Sequence, residues 1–358
     1  MAPITEIKQN FASWMSFEPE IEPAKPVYEA SSYQETSAQK DYVVMANGKK
    51  MPLVGLGTWQ GRDPVAFKDA LRLALDSGYR YIDTAYLYYN EDLIGEVLEE
   101  YITSGKVKRE ELFVATKLPT QGHKPEDVEH FIQNSLKALR IDYIDLYLMH
   151  NACGMAHDDN YQRIEIEPGV YAPDLTPHIE TWRMFERYYK MGILKAIGVS
   201  NFRADQLLDL HKKAEIKPQN LQIELHIHHR RRDLIALCRE LDIVVSSYAT
   251  LGSPGRLEGF RKAPMGEWPH ADNLNHPVTQ ELAKKYNKTP AQILLRHMVQ
   301  QGITVIPKST NPERLKQNFS LFDFELSEED MQRFDDIKED VRLFVYPHLV
   351  KSPHFPPY

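Results

Sequence analysis

From Asp41 onward, short apolar segments alternate with helical segments, and this alternation restricts the fold more than any other feature. The segments with the length and composition of buried strands are residues 53–57, 79–84, 112–117, 144–150, 196–201, 220–225, 243–249 and 304–309. Helical periodicity covers residues 65–76, 91–100, 125–139, 177–190, 203–213, 233–241, 290–300 and 311–319. Strands that are each followed by a helix predict an α/β fold, and this number of them predicts a closed (β/α)8 TIM barrel.

A doubly wound open sheet is the alternative that the same alternation allows. Such a sheet needs a glycine-rich phosphate turn after its first strand. The corresponding segment here, residues 55–60 (GLGTWQ), lacks the third glycine at the required spacing. We therefore prefer the barrel.

Three segments surround the predicted barrel. Asn47-Gly48 lies between the apolar residues 42–45 and 51–54, which predicts a short β-hairpin ahead of the first barrel strand. Residues 1–40 are rich in glutamate, proline and serine, and they predict a poorly ordered N-terminal extension. Residues 41–358 then form a single barrel domain, whose aromatic C-terminal tail, residues 341–358, we expect to fold over the barrel mouth.

Charge and cysteine content narrow the class of protein. The formal net charge of −8 argues against binding to nucleic acid. The only cysteines, Cys153 and Cys238, are too few for a disulfide framework and indicate a reducing compartment. No apolar run approaches the ~18 residues that cross a bilayer. We expect a cytoplasmic monomer that binds neither nucleic acid nor membrane.

His226, His228 and His229 raise the possibility of a metal site. Alternation along a strand would place His226 and His228 on one face, but no third ligand follows at a recognised zinc spacing. The alternative is that these imidazoles are solvated or hydrogen-bonded within the fold. We therefore expect no metal.

Polar or titratable side chains occur near the ends of seven predicted strands. They are Asp83 with Tyr88 a few residues on, Lys117, His150, Ser200 with Asn201, Gln222 with Glu224, Tyr248, and Lys308 with Ser309. Each of them alone also fits a structural role, such as a lysine that reaches solvent or a hydrogen-bonded core histidine. Because barrel enzymes carry their chemistry at the carboxyl ends of the strands, the whole set predicts an active site.

Several dispersed motifs make a more specific identification possible. They are residues 55–59 (GLGTW), 78–91 (GYRYIDTAYLYYNE), 116–117 (TK), 145–150 (DLYLMH), 198–202 (GVSNF) and 306–309 (IPKS), followed by Pro312, Glu313, Arg314 and Asn318. From about Asp41 to its C-terminus, the chain resembles the aldo-keto reductase family. The resemblance implies a (β/α)8 barrel that reduces the carbonyl group of a small molecule with NADPH.

By the same resemblance, the catalytic tetrad is Asp83, Tyr88, Lys117 and His150. A carbonyl that receives hydride at carbon needs a proton at oxygen, and Tyr88 is the expected donor. A nearby ammonium favours an ionised phenol, so Lys117 is expected to lower the pKa of Tyr88. Asp83 would hold Lys117 in place, and His150 would orient the carbonyl oxygen and share in proton donation.

The resemblance also assigns residues to the cofactor. Ser200, Asn201 and Gln222 would hold the nicotinamide carboxamide, with Tyr248 stacked on its ring. The remaining expected contacts are Gly57, Thr58, Leu251 and Ser253 along the cofactor, Lys308, Ser309, Thr310 and Arg314 at the 2′-phosphate, and Gln317 and Asn318 at the adenine. Two cations near one extra phosphate favour NADPH over NADH, although both also fit an ordinary charged surface.

Trp59, Leu87 and Asn151 are the expected substrate contacts. Many relatives have Trp-Pro where this chain has Asn151-Ala152, which predicts a wider or more polar pocket wall. Aromatic residues in the loops that follow the strands suggest a bulky apolar carbonyl compound, unless they only pack on the barrel. The resemblance also allows a second function, because some barrels of this family are NADPH-binding regulatory subunits with little turnover.

Overall fold

The structure is a computed structural model, and it describes residues 41–256 and 269–355. The predicted N-terminal extension, residues 1–40, lies outside the described residues. Residues 257–268 and 356–358 also lie outside them.

Each of the eight predicted strand segments contains or overlaps a strand of the structure. In chain order they are β1 (Tyr42–Val44), β2 (Lys50–Pro52), β3 (Gly55–Gly57), β4 (Tyr81–Asp83), β5 (Phe113–Leu118), β6 (Leu146–Met149), β7 (Gly154–Met155), β8 (Glu165–Glu167), β9 (Val170–Tyr171), β10 (Pro173–Asp174), β11 (Ile197–Ser200), β12 (Asn220–Glu224), β13 (Val244–Tyr248) and β14 (Thr304–Val305). The shorter strands β7 to β10 lie in the loop after β6, where β8 and β9 form a hairpin.

Eight of these strands form one parallel sheet in the order β14-β13-β12-β11-β6-β5-β4-β3. A parallel bridge between Val54 and Val305 joins its two edges, and the Val305 amide donates to the Leu53 carbonyl at 2.8 Å. The sheet therefore closes on itself, which confirms the predicted barrel. Closure leaves the carboxyl ends of all eight strands around one mouth.

Helices surround this sheet. They are α1 (Pro64–Asp76), α2 (Glu91–Thr103), α3 (Pro125–Leu139), α4 (His178–Lys190), α5 (Ala204–Lys213), α6 (Arg232–Glu240), α7 (Pro277–Tyr286), α8 (Pro290–Val299), α9 (Pro312–Phe319) and α10 (Glu328–Asp335). The start of α1 shows why such segments are helical: the Asp63 carboxylate accepts hydrogen bonds from the Val65 and Ala66 amides, and Pro64 fits the first turn. Phe67 and Leu71 then face the core.

The predicted hairpin is present as β1 and β2, with Gly48 in its turn at a φ of 79° that favours glycine. Met45 and Met51 of this hairpin are buried among Tyr81, Phe113 and other residues that point into the barrel. Side chains of the hairpin therefore pack into the barrel interior.

Helices α7 and α10 were not predicted from the sequence. In α10 the buried residues are only Asp330 and Phe334, so its apolar periodicity is weak. The signal that marks its start is Ser327, whose side chain accepts a hydrogen bond from the Asp330 amide. A capping residue is thus more informative here than the hydrophobic pattern.

Candidate active site

Four predicted site residues converge at the barrel mouth because they end neighbouring strands. Asp83 is the last residue of β4, Lys117 lies near the end of β5, and His150 directly follows β6. These three strands are adjacent and parallel, so their last residues lie side by side. Tyr88 ends a short 3-10 turn, Tyr86–Tyr88, that follows β4.

Lys117 and Asp83 form a buried ion pair. The Lys117 ammonium lies 2.6 Å from Asp83 Oδ1 and donates a second hydrogen bond, of 2.8 Å, to the Thr84 carbonyl. Burial lowers the pKa of Lys117, and the charges of Asp83 and Glu91 oppose this shift. The ammonium also lies 5.1 Å from the centre of the Tyr88 ring. Asp83 therefore holds a positive charge next to the phenol.

The Tyr88 phenol is protonated at neutral pH. Removal from water raises its pKa well above the ordinary value, and the negative charge of Asp83 raises it further. This differs from the expectation that Lys117 would lower the pKa of Tyr88. The reason is that burial removes the phenol from water, while the Lys117 charge beside it is paired with Asp83. The phenol therefore carries the proton that a general acid needs, and stabilisation of the resulting tyrosinate has to come from the nearby Lys117 ammonium.

His150 is a neutral imidazole. Burial lowers its pKa to about 3, and the nearby Lys117 charge acts in the same direction. Its ring lies 5.7 Å from that of Tyr88 in an edge arrangement. Its Nδ1 atom is buried and has no hydrogen-bond partner among the described residues. His150 can therefore orient a group by hydrogen bonding, but its low pKa does not suit it to give up a proton as an imidazolium at neutral pH.

The predicted carboxamide residues lie directly against this group. Gln222 donates to Asp83 Oδ2 at 2.7 Å, and the amide of Asn201 donates to the His150 carbonyl at 2.9 Å. Tyr248 donates to Asn201 Oδ1 at 2.8 Å. Ser200 Oγ is buried without a hydrogen-bond partner among the described residues. The ends of β11, β12 and β13 thus adjoin the ends of β4 to β6.

A second group of predicted residues lies around the start of α9. Lys308, Thr310 and Arg314 are exposed, Ser309 and Gln317 are partly exposed, and Asn318 is buried. Partial removal of its ammonium group from water lowers the pKa of Lys308. Within the described residues, neither Lys308 nor Arg314 has an ion-pair partner. Two cations near a helix N-terminus form a surface suited to a phosphate.

Four other predicted cofactor residues have evident structural contacts. The Thr58 hydroxyl donates to the Asp83 carbonyl at 2.9 Å. Gly57 packs so closely on the backbone after β14 that an added Cβ would lie 2.3 Å from the Ile306 oxygen. Ser253 has a left-handed backbone with a φ of 45°, and Leu251 packs partly buried against the core. These contacts neither require nor exclude a role in cofactor binding.

The predicted substrate residues differ in exposure. Leu87 is partly exposed beside Tyr88, and the Trp59 ring lies 5.7 Å from that of Phe344 in the C-terminal tail. Asn151 is buried, and its side-chain oxygen accepts a hydrogen bond from the Cys153 amide at 2.9 Å. Part of its polarity is therefore used within its own loop.

Two buried acids were given no individual role by the sequence, although Glu224 was counted in the set of residues near the strand ends. Glu91, at the start of α2, accepts hydrogen bonds from the hydroxyls of Thr116 at 2.6 Å and Ser135 at 3.1 Å. Burial raises the pKa of Glu91. Glu224, at the end of β12, contacts the C-terminal tail. In the sequence, each acid could be recognised only as a charged residue close to apolar ones. The residues that it contacts could not be predicted.

The histidines near Glu224 are engaged in pairs. His226 Nε2 lies 3.0 Å from Glu224, and His229 Nδ1 lies 2.7 Å from Asp340. In the part of the chain that the structure describes, no three His, Cys, Asp or Glu side chains are grouped so that they could hold a metal ion. Within the same residues, no helix is long and apolar enough to cross a membrane.

Comparisons with known proteins identify the family of this chain. The model of the aldo/keto reductase family matches residues 53–339. Aldo-keto reductase family 1 member A1 of Gallus gallus is 41% identical over 313 residues, which are 86% of this chain and 92% of that protein. The Mus musculus protein of the same name is 41% identical over 307 residues, 85% of this chain and 91% of its own.

Among solved structures, the aldose reductase from Schistosoma japonicum is similar in fold. The TM-score is 0.80 at 34% identity, over 88% of this chain and 98% of that one. The family match covers most of the chain, including the strands that carry Asp83, Lys117 and His150. The chain therefore belongs to the aldo-keto reductase family.

Proposed function

We propose that the protein reduces an aldehyde or ketone to an alcohol, with NADPH as the reductant and Tyr88 as the proton donor. The observation that carries this proposal is the protonated Tyr88 phenol, held next to the buried Lys117 and Asp83 pair. NADPH, when bound, supplies the hydride, and the protein supplies position and charge.

The proton follows from the charge that develops on the substrate. When the carbonyl carbon gains hydride, negative charge grows on the oxygen. The phenolic O–H bond of Tyr88 breaks as the alcohol O–H bond forms. The tyrosinate that remains lies beside the Lys117 ammonium, which stabilises it until water returns a proton. Asp83 and the Thr84 carbonyl keep Lys117 in that position.

His150 acts in this scheme as a neutral hydrogen-bonding group. Its pKa of about 3 leaves no imidazolium to donate a proton at neutral pH. It orients the carbonyl oxygen near the Tyr88 hydroxyl, which makes the geometry of proton transfer more favourable. Proton donation is thus assigned to Tyr88 alone, rather than shared with His150.

A nicotinamide cofactor, and NADPH in particular, is supported by two groups of polar residues. The unpartnered Ser200 hydroxyl suits a carboxamide, together with Asn201 and Gln222. Lys308 and Arg314 suit the 2′-phosphate that distinguishes NADPH from NADH, since guanidinium and ammonium groups form charge-assisted hydrogen bonds with phosphate. Ser309 and Thr310 lie between Lys308 and Arg314 in the chain, and they complete the proposed contacts with the 2′-phosphate. Gln317 and Asn318 follow Arg314 and are the proposed contacts with the adenine.

A bulky apolar substrate is the class that we propose. Leu87 directly precedes Tyr88 in the chain, and the Phe344 ring of the C-terminal tail contacts both Trp59 and Tyr248, so that these three rings form an apolar surface. Apolar walls favour substrates that bury a large hydrocarbon surface. The cytoplasmic location and the monomeric state stay predictions.

The proposal is tested by following NADPH oxidation with a panel of aldehydes and ketones of increasing size. We expect turnover that depends on the carbonyl compound and is faster with NADPH than with NADH. Tight binding of NADPH without turnover on any compound would instead support the regulatory subunit. Failure to bind NADPH would overturn both functions.

A further inference from the structure

The C-terminal tail contacts the carboxyl ends of β12 and β13. Asp340, which follows helix α10, contacts the loop after β12, since its carboxylate lies 2.7 Å from His229 Nδ1. The Val341 amide then donates to the His228 carbonyl at 2.7 Å. The next residues, up to Tyr346, run above the strand ends that carry the proposed cofactor contacts. The Tyr346 hydroxyl lies 2.8 Å from that of Tyr248.

Glu224 provides the buried attachment point of this segment. Its side chain is fully buried at the end of β12, two residues after Gln222. One carboxylate oxygen accepts the Leu343 amide at 2.6 Å and His226 Nε2 at 3.0 Å, and the other accepts the Phe344 amide at 3.0 Å. A single acid thus fixes two successive backbone amides of the tail.

The acid is ionised in this environment. Burial favours its neutral form, but the hydrogen bond from His226, the charge of His229 and the Leu343 amide outweigh this, so that the pKa of Glu224 lies below its ordinary value. Hydrogen bonds from amides to an ionised carboxylate are among the stronger ones in proteins. Both tail amides are therefore bound to an ionised carboxylate at neutral pH.

The two fixed amides determine where the Phe344 ring lies. It contacts Trp59 at 5.7 Å and Tyr248 at 5.4 Å between ring centres, in edge arrangements. The guanidinium of Arg256 lies 5.3 Å from the ring centre, and Arg256 also donates to the Leu343 carbonyl. Phe344 thus stands between the expected substrate contact Trp59 and the expected ring-stacking residue Tyr248.

We propose that Glu224 is a positioning residue for substrate selectivity, because it holds the Leu343 and Phe344 amides and thereby fixes Phe344 as a wall of the substrate pocket. The inference rests on the proposed carbonyl reduction. A rigid wall at this point selects substrates by their size and shape, whereas a mobile one accepts a wider range with weaker contacts. Proton transfer from Tyr88 does not depend on this wall.

Glu224→Gln is the sharpest test, since it keeps the size of the side chain and removes its charge. The new amide group of the side chain faces a backbone N–H, and two donors cannot bond to each other. We expect hydrogen exchange of the Leu343 and Phe344 amides to become about tenfold faster or more. Unchanged exchange at both amides would overturn the proposed attachment. This readout needs no turnover.

Selectivity is measured with para-nitrobenzaldehyde as a small substrate and trans-decalone as a bulky one. We expect Glu224→Gln to change the ratio of the two kcat/KM values by about tenfold, mainly through KM for decalone. The kcat for the aldehyde should stay within about twofold of the wild type. Faster exchange with an unchanged ratio would overturn the role in selectivity and leave the attachment in place.

Two further variants make the outcome decisive. Glu215→Gln removes an exposed glutamate that pairs with Lys190 at 2.7 Å, and it should alter neither exchange at the tail nor the ratio. If Glu224→Gln does not fold, Phe344→Ala decides, because it removes the wall and leaves the attachment; an unchanged ratio in this variant overturns the proposal. Absence of turnover in the wild type, with faster exchange in Glu224→Gln, would refute carbonyl reduction but not the attachment.

Discussion

Gln222 donates a hydrogen bond of 2.7 Å to Asp83, across 139 positions of the chain. The other oxygen of Asp83 is 2.6 Å from the Lys117 ammonium. A residue that the resemblance assigned to the cofactor therefore also holds the acid of the tetrad. Because Asp83 in turn orients Lys117, changes at Gln222 are expected to reach Tyr88 through two contacts.

The buried Lys117 and Asp83 pair predicts an unequal response to single and double substitution. Lys117→Met leaves the Asp83 carboxylate buried without its cation, and the free energy of unfolding should fall by about 3–5 kcal/mol. The double variant Asp83→Asn with Lys117→Met removes that unpaired charge and should recover part of the loss. Urea unfolding of the three proteins measures both effects. A double variant no more stable than Lys117→Met would contradict the prediction that the unpaired Asp83 carboxylate causes the loss.

Tyr88→Phe keeps the ring and removes the proton donor. Turnover should fall about a hundredfold or more, since a positioned acid contributes at least that much. The dissociation constant for NADPH should change by less than about twofold, as the lost hydroxyl acts on the substrate oxygen. The neighbouring Tyr89, whose side chain is 74% exposed, provides the matched control Tyr89→Phe, which should remain fully active. Normal turnover in Tyr88→Phe would mean that another group donates the proton.

Lys308 and Arg314 predict the preference for NADPH. Replacing either by alanine should weaken NADPH binding by about tenfold, because a charge-assisted contact with the 2′-phosphate is lost. Binding of NADH should be almost unchanged, and fluorescence titration with both nucleotides measures the difference. Lys316→Ala, in the same helix α9, removes a cation that lies 3.9 Å from Glu313 and serves as the control. Equal losses for NADH and NADPH would contradict the assignment.

His297 predicts part of the response of stability to acid. It is buried against Phe334, and burial lowers its pKa to about 3. The unfolded chain has the ordinary value of ~6.5, so it binds the proton first as the pH falls. The stabilising contribution is complete above pH ~6.5 and is lost progressively as the pH falls from there towards the folded pKa.

His297→Gln removes this titration. Between about pH 6 and 4, the free energy of unfolding should fall less steeply in the variant, by about 1.4 kcal/mol per pH unit. Urea unfolding across this range, with pH 8 as the reference for changes in packing, measures the slope. Parallel curves for the two proteins would contradict the burial of a neutral imidazole.

Much of the architecture was predictable from local patterns. The alternation of strands and helices predicted the barrel because each strand has to be buried on both faces, and Asn47-Gly48 predicted the hairpin through its turn. Helix α10 was missed because it buries mainly Asp330 and Phe334, so its apolar face is too narrow to recognise.

The sequence by itself determined the fold class and the types of residue at the strand ends, since both depend on the order of side chains along the chain. Only the tertiary structure decided what surrounds those residues. The raised pKa of Tyr88, the contact of Gln222 with Asp83 and the attachment of the tail to Glu224 are of this kind. Burial and hydrogen bonding between residues more than a hundred positions apart exist only once the barrel has closed, and no local pattern encodes them.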